Sequence, residues 1–123
     1  MEHVYKALYD ELSPETSISK ALKTKGKMVV DDVFNDFKLI FQDQIRYLSY
    51  FECDKDEYFY KIKIGEKTLS ITIGDKIILL TINNKKWAEF VYDGVKIIAK
   101  DETDVELTGA ALQMMIVKAF SKI

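Results

Sequence analysis

The 123-residue chain holds only one cysteine and one histidine, and each scarcity excludes a class of site. Cys53 alone cannot form an intrachain disulfide or a zinc site built on several cysteines. The sole histidine, His3, would have to carry any histidine-based triad or metal cluster from the third position of the chain. The sequence therefore predicts a protein that is not an enzyme and that binds no metal ion or cofactor.

Arginine is equally scarce, because Arg46 is the only one among 18 basic residues. The guanidinium fork reads guanine edges and clamps phosphate, so its near absence argues against sequence-specific nucleic-acid recognition. The net charge is −2, yet residues 55–100 carry nine basic and six acidic side chains. Non-specific nucleic-acid binding through lysines such as Lys61 and Lys63 therefore stays open as an alternative, although we do not favour it.

No apolar run approaches the roughly 18–20 residues that span a bilayer, and the charged first residues lack a signal-peptide core. Apolar residues make up 48% of the chain and charged residues 31%, which is an ordinary globular composition. These features predict one domain over residues 1–123, located in the cytoplasm and independent of membranes.

Residues 57–100 carry the strongest positive signal, an alternation of apolar and polar residues in five short runs. Tight-turn dipeptides separate the runs, and such dipeptides between alternating segments are typical of β-hairpins. They are Gly65-Glu66, Gly74-Asp75, Asn83-Asn84 and Asp93-Gly94. The pattern predicts an α+β fold with a five-stranded antiparallel meander, and a sixth strand is allowed within residues 47–53.

The turn lengths predict the register of this meander. We expect two-residue loops at three turns and a three-residue loop starting at Asn83, because a two-residue loop there would place Glu89 in the core. The resulting inner rows are Tyr60, Ile71, Ile78, Phe90, Ile97 and Ile62, Leu69, Leu80, Ala88, Ala99.

The opposite, outer face is predicted to be unusually apolar for a solvated sheet face. Its apolar residues are Ile77, Leu79, Trp87, Val91 and Ile98, and its lysines include Lys61, Lys63 and Lys100. Contiguous exposed apolar residues mark interaction sites. Either a helix of the same chain covers this face, or these eight residues form a partner-binding surface anchored by Trp87.

Three helices are predicted before the sheet. The first covers residues 3–12, the second begins at the cap Ser13 and is closed by Gly26, and the third covers residues 30–48. Asp31 and Asp32 then fall in the first turn of the third helix, where the helix dipole favours acidic side chains.

A C-terminal helix is predicted over residues 105–122, with Thr103-Asp104 as its caps. It is apolar nearly all round, whereas a surface helix shows one apolar stripe. The helix should therefore be contacted from two sides, by the sheet and either by the N-terminal helices or by another subunit. On this ground, and because the outer sheet face carries an apolar patch, we expect a homodimer.

These observations favour a small cytosolic protein-interaction or regulatory module, such as an inhibitor, adaptor or immunity-type factor, that binds a protein partner without catalysis. The alternative is a small-ligand-binding domain with a cavity between helix 30–46 and the sheet. Tyrosines would line that cavity because they combine apolar area with one polar group. The candidates are Tyr47, Tyr50, Tyr58 and Tyr60.

Overall fold

The computed structural model describes residues 14–47, 51–101 and 105–121. The predicted first helix (residues 3–12), the caps Ser13 and Thr103-Asp104, Tyr50 and the side chain of Tyr47 lie outside the described residues. Within the described residues the fold is α+β, with helices before and after an antiparallel sheet. The predicted fold class is confirmed.

The helical segment before the sheet is one continuous run with a π-helical turn inside it. Helix α1 spans Pro14–Ala21, the π-helical turn spans Leu22–Gly26, and helix α2 spans Lys27–Tyr47. Ala21 and Lys27, on either side of the turn, both have α-helical dihedral angles, so the chain does not leave the helix. The predicted end at Gly26 is therefore wrong.

Gly26 is buried, and its missing side chain allows a close contact between the helix and the sheet. A β-carbon at this position would lie 2.7 Å from Cδ1 of Ile78 and 3.3 Å from Cδ1 of Ile97. The glycine thus lets the helix backbone approach the sheet instead of terminating the helix. As a consequence, Asp31 and Asp32 lie inside α2 rather than in a first turn, and their predicted capping role is also wrong.

The described residues form six strands in chain order, each pairing antiparallel with the next, so the sixth strand that the sequence allowed is present. It is the first strand of the sheet and stands directly after α2. The strands are β1 Phe51–Lys55, β2 Phe59–Ile64, β3 Lys67–Ile73, β4 Ile78–Ile82, β5 Lys85–Tyr92 and β6 Ile97–Ala99.

Only one predicted turn has the expected length and register. Ile64 pairs with Lys67 across Gly65-Glu66, and Gly65 adopts a φ of 64°, which glycine tolerates best. The turns at residues 74–77 and 93–96 contain four residues each, so those two registers differ from the predicted ones by two positions. A shift of two leaves every side chain on its predicted face.

The β4–β5 turn reaches the predicted pairing by a different route. Asn83 and Asn84 form a two-residue turn with φ angles of 51° and 67°, as a type I′ turn requires. A β-bulge at Trp87 then shifts the register, and beyond it Leu80 pairs with Ala88 as predicted. The predicted three-residue loop is wrong, although the residue pairs that it predicts beyond the turn are present.

The helices and the inner face of the sheet enclose the hydrophobic core. Its largest fully buried side chains are Tyr60, Phe34, Phe90, Leu22, Ile62, Leu69, Ile78, Leu80, Leu112 and Val30. Of the outer-face residues, Ile77, Leu79 and Val91 neither belong to this core nor pack against it, whereas Ile98 is itself buried at 8% exposure. Within the described part of the chain, the helices pack against the inner face.

The C-terminal helix α3 spans Gly109–Phe120 and starts four residues later than predicted. Thr108 is its N-cap, and its hydroxyl accepts a hydrogen bond of 3.1 Å from the amide of Ala111. The preceding residues run antiparallel to β6, since Leu107 donates its amide hydrogen bond to Ile97 over 2.8 Å. Their backbone groups are thus engaged by the sheet, which delays the helix. None of the helices in the described segments is long and apolar enough to cross a membrane.

Candidate functional site

An apolar groove of about 520 Å³ lies between α2 and α3, at the end of β2. Val33 and Ile116 are each 4% exposed, whereas Ile40 is 69% and Val117 63% exposed. The groove thus joins buried core residues to largely exposed apolar ones. Its lining residues are Val33, Asp36, Phe37, Ile40, Phe41, Ile64, Gln113, Ile116, Val117, Phe120 and Ser121.

Aromatic packing fixes the α2 side of the groove. Phe37 and Phe41 are one helical turn apart, and their ring centroids are 4.6 Å from each other. Both rings also stack near Phe51 of β1, at centroid distances of 6.0 Å. Aromatic pairs prefer such offset arrangements and add about 0.5–1.5 kcal/mol each beyond the burial of their area. This wall therefore exists before any ligand binds.

The α3 side is fixed at both ends of the helix. Thr108 caps the N-terminus, and the ammonium of Lys67 on β3 donates a 2.8 Å hydrogen bond to the carbonyl of Ala119. A cation at the last turn satisfies a free carbonyl and complements the helix dipole. The exposed residues Met114 and Val117 are consequently presented on an anchored helix.

The sequence predicts no groove between α2 and α3, although it contains a signal for one. The nearly complete apolar girdle of the last helix predicted contacts on two sides, and only one side is occupied by the core in the described residues. Phe37 and Ile40 of α2 form the opposite wall of the groove. The sequence does not single them out, because both fit the one apolar stripe that the helical spacing predicts.

The groove is not the predicted tyrosine-lined cavity, because neither Tyr58 nor Tyr60 lines it. Tyr60 is 1% exposed and donates a 2.5 Å hydrogen bond to Asp31 on α2. Tyr58 is half-buried, and the ammonium groups of Lys23 and Lys27 lie 5.1 and 5.4 Å from its ring centroid. These tyrosines connect the helix to the sheet.

Asp31 is the centre of this polar connection. Besides Tyr60, it faces Lys27 at 3.3 Å and Lys55 at 3.6 Å. Burial acts to raise the pKa of Asp31, but the Tyr60 hydroxyl and the two lysines outweigh it and lower that pKa. Burial, together with the Asp31 carboxylate, raises the pKa of Tyr60. A phenol held in its protonated form is a hydrogen-bond donor and not a catalytic base.

Trp87, the predicted anchor of the outer face, packs against the inner core instead. A bulge places two residues opposite one and can redirect a side chain, and Trp87 is the extra residue of this bulge. It lines a smaller cleft of about 240 Å³ at the edge of the sheet together with Phe90, Met115 and Lys118. Its predicted position beside Thr81 is taken by Lys86.

The other members of the predicted partner-binding surface remain on or beside the outer face. Ile98 is 8% exposed and pairs with Val91, Leu79 is half-buried on β4, and Ile77 lies in the β3–β4 loop. Without Trp87 the set lacks its aromatic anchor. What remains is a strand-to-strand apolar contact around Ile98.

Two of the three predicted lysines are paired with carboxylates. Lys61 lies 3.3 Å from Glu52, and Lys100 lies 3.3 Å from Glu89. Glu89 also pairs with Lys86 at 2.5 Å, and its side chain is only 9% exposed. The Lys86 hydrogen bond lowers the pKa of Glu89 against the effect of burial, and Lys100 adds to this. Lys63 is half-buried on β2. Little unpaired positive charge is concentrated on this face.

No three histidine, cysteine, aspartate or glutamate side chains within residues 14–47, 51–101 and 105–121 lie close enough together to hold a metal ion. Comparisons with protein-family models, curated proteins and solved structures found no match.

Proposed function

We propose that this chain is a binding module that acts by surface complementarity without catalysis, and that it holds a helical protein segment in the groove between α2 and α3. The observation that carries the proposal is the exposure of Ile40 and Val117, on facing sides of a groove whose remaining lining is mostly apolar. Exposed apolar grooves between anchored helices suit the helix-in-groove mode of recognition.

The dimensions support a helix as the occupant. The groove follows α2 from Val33 to Phe41, and on the other side it runs from Gln113 of α3 to the C-cap Ser121. Nine residues of helix extend about 13–14 Å. A partner helix could place apolar residues at two or three successive turns along this length. Asp36, the only charged residue among the lining residues that the structure describes, favours a basic residue at the edge of the partner.

A small apolar ligand is the second candidate, because about 520 Å³ lies within the usual range of ligand pockets. Gln113 and Ser121 would supply polar contacts for such a ligand. The largely exposed Ile40 and Val117 favour the helix, since a small ligand is normally enclosed by its pocket.

Two other surfaces are less favoured. The outer sheet face lost its anchor when the bulge redirected Trp87 to the core side. Non-specific nucleic-acid binding requires lysines that can release counterions from phosphates, but Lys61 and Lys100 are paired with Glu52 and Glu89.

The test is a selection from a displayed library of amphipathic helical peptides. We expect the wild-type protein to enrich peptides with apolar residues three and four positions apart, and Ile40→Glu to bind them at least about tenfold more weakly. Val95→Glu is the matched control, because Val95 is 77% exposed and lies in the β5–β6 loop, outside the groove.

Enrichment of no helical peptide would contradict the proposal. Equal binding of the selected peptides to wild-type protein and Ile40→Glu would contradict it as well, because the peptides would then bind elsewhere. Titration of the wild-type protein with a soluble aliphatic alcohol separates the second candidate, which predicts saturable binding that Ile40→Glu abolishes.

A further inference from the structure

Helix α3 has two different apolar faces. The inward face packs into the core through Leu112, Ile116 and Ala119, which are at most 4% exposed. The other face points away from the core, and Met114 and Val117 on it are 69% and 63% exposed. Its members are spaced four, three and four residues apart, so they form one stripe along the helix. The stripe consists of Ala110, Met114, Val117 and Ser121.

This outward stripe carries no charge. Lys118 is the only charged residue among the twelve of α3, and it lies beside the stripe. A helix face that remains in water normally carries charged residues, as the exposed positions Asp32, Asp36 and Lys38 on α2 do. An uncharged stripe with a spacing of three and four residues is instead typical of a helix that packs on another helix.

We infer that the occupant of this surface is a second copy of the same chain, with the two α3 helices packed antiparallel across a two-fold axis. The inference rests on the proposed function, because Val117 and Ser121 of the stripe also line the groove. A two-fold interface requires one surface patch that is complementary to itself. The α3 stripe meets this requirement, as its residue sizes show.

In the antiparallel arrangement, Met114 of one copy lies opposite Val117 of the second copy. Ala110 then lies opposite Ser121 of the second copy, so small residues meet at both ends and large ones meet in the middle. The same pairing places Lys118 opposite Gln113 of the second copy, so the two Lys118 ammonium groups do not face each other. Antiparallel helices also align their dipoles favourably.

The contact has a sufficient size for a dimer. Ile40 of α2 extends the exposed apolar surface of Met114 and Val117 across the groove. Together with the half-buried aromatic rings beside them, these residues offer on the order of 500 Å² per chain, or about 1,000 Å² in a symmetric pair. Specific interfaces begin at about this area.

The test is the mass of the full chain in solution, measured by light scattering after gel filtration over a range of concentrations. We expect twice the 14.3 kDa of one chain for the wild-type protein. Met114→Lys and Val117→Glu should each raise the dissociation constant at least about tenfold. Val95→Glu, which adds a charge at a site outside the stripe, should remain dimeric.

A mixture of the two variants tests the antiparallel geometry. Met114→Lys and Val117→Glu chains should combine into a heterodimer, because the new ammonium and carboxylate groups lie opposite each other while the symmetric contact keeps its native residues. In a parallel arrangement, Met114 of the two copies would lie opposite each other, so a mixture of Met114→Lys and Met114→Glu chains would restore dimerisation. That result would overturn the antiparallel pairing.

A wild-type protein that stays monomeric at all concentrations would overturn the second copy as the occupant. If that monomer still binds the selected helical peptides in an Ile40-dependent manner, the proposed function stands and only this inference fails. If the wild-type protein dimerises but none of the stripe variants weakens the dimer, the interface lies elsewhere and the inference fails as well.

Discussion

Gly26 of the π-helical turn lies against Ile78 of β4 so closely that a β-carbon on the glycine would be 2.7 Å from the Cδ1 atom of the isoleucine. Ile78 is fully buried, so its side chain yields only against close-packed neighbours. The contact fixes the height at which the long helix lies over the sheet. The groove depends on this height because α2 forms one of its walls.

We predict that Gly26→Ala destabilises the protein by about 1–2 kcal/mol. Overpacking costs about 1–3 kcal/mol, and the higher helix propensity of alanine offsets up to about 1 kcal/mol of it. The free energy of unfolding in urea measures the effect. Gly109→Ala is the control, because a β-carbon there would meet Val33 at an ordinary 3.8 Å.

A double-mutant cycle gives this prediction its sharpest form. Ile78→Val removes the Cδ1 atom that the new methyl group would meet, so Gly26→Ala should cost less in that background than in the wild-type protein. Equal costs in the two backgrounds would show that the close contact with Ile78 does not determine the role of the glycine.

The second prediction concerns Asp31 and the pH dependence of stability. The pKa of Asp31 is lowered from its ordinary value of 3.8 in the folded protein. Its ionised form therefore adds stability above the unfolded-state pKa, and this stability is lost as the pH falls through the lower folded-state pKa. Asp31→Asn should cost about 1–2 kcal/mol at pH 7, and the difference from wild type should shrink in acid.

Urea unfolding at a series of pH values between about 7 and 2 measures this difference. Asp32→Asn is the matched control, since Asp32 is exposed and forms no ion pair with the described residues. Tyr60→Phe should lose part of the same stability because it removes the hydrogen bond to Asp31. A gap between wild type and Asp31→Asn that stays constant with pH would contradict the assignment.

The sequence predicts which side chains share a face of the sheet. It does not predict which residues lie opposite each other on neighbouring strands. Alternation with a period of two fixes which side chains share a face, and Ile71, Ile78 and Phe90 lie together as predicted. The dipeptides Gly74-Asp75 and Asp93-Gly94 resemble two-residue turns, but each lies in a four-residue loop. Asp93 closes its loop by accepting hydrogen bonds from the amides of Val95 and Lys96. This side-chain contact competes with the shorter turn, and composition does not reveal it.

The two errors that affect the candidate site have a common cause, because in both a tertiary contact overrides a local rule. The local sequence predicts that Gly26 ends a helix, but the residue lies inside the helix, in close contact with Ile78. Trp87 reads as an outer-face residue, but the bulge redirects it. The groove itself depends on the separation of α2 and α3, which are more than 60 residues apart in the chain. Single-sequence patterns do not define such a distance.

The third prediction is that Cys53 is unreactive in the folded protein. Its side chain is 7% exposed, and burial raises the pKa of the thiol to about 11. At pH 7 only about one thiol in 10,000 is then ionised, and the thiolate is the reactive form. An aromatic disulfide reagent should react at least about a hundredfold more slowly with the native protein than with the urea-unfolded chain. Similar rates in both states would mean that β1 is not packed beneath α2.

The last prediction compares Trp87 with Phe90, which differ in burial and in their relation to the groove. Phe90 is fully buried, so Phe90→Ala should cost about 3–5 kcal/mol of stability. Trp87 is only partly buried, so Trp87→Ala should cost less, about 1–3 kcal/mol. Urea unfolding followed by circular dichroism measures both, since Trp87 is the only tryptophan and its removal eliminates the fluorescence signal.

The same variant also separates the two candidate interaction surfaces. Trp87 lines the small cleft at the sheet edge and not the groove between α2 and α3. A folded Trp87→Ala protein should therefore dimerise and bind helical peptides like the wild type, while Val117→Glu should not. If Trp87→Ala folds but loses both interactions, and Val117→Glu retains them, the binding surface is the Trp87 cleft. In that case the tryptophan is the anchor that the sequence indicated, although the bulge presents it at the edge of the core and not on the outer face.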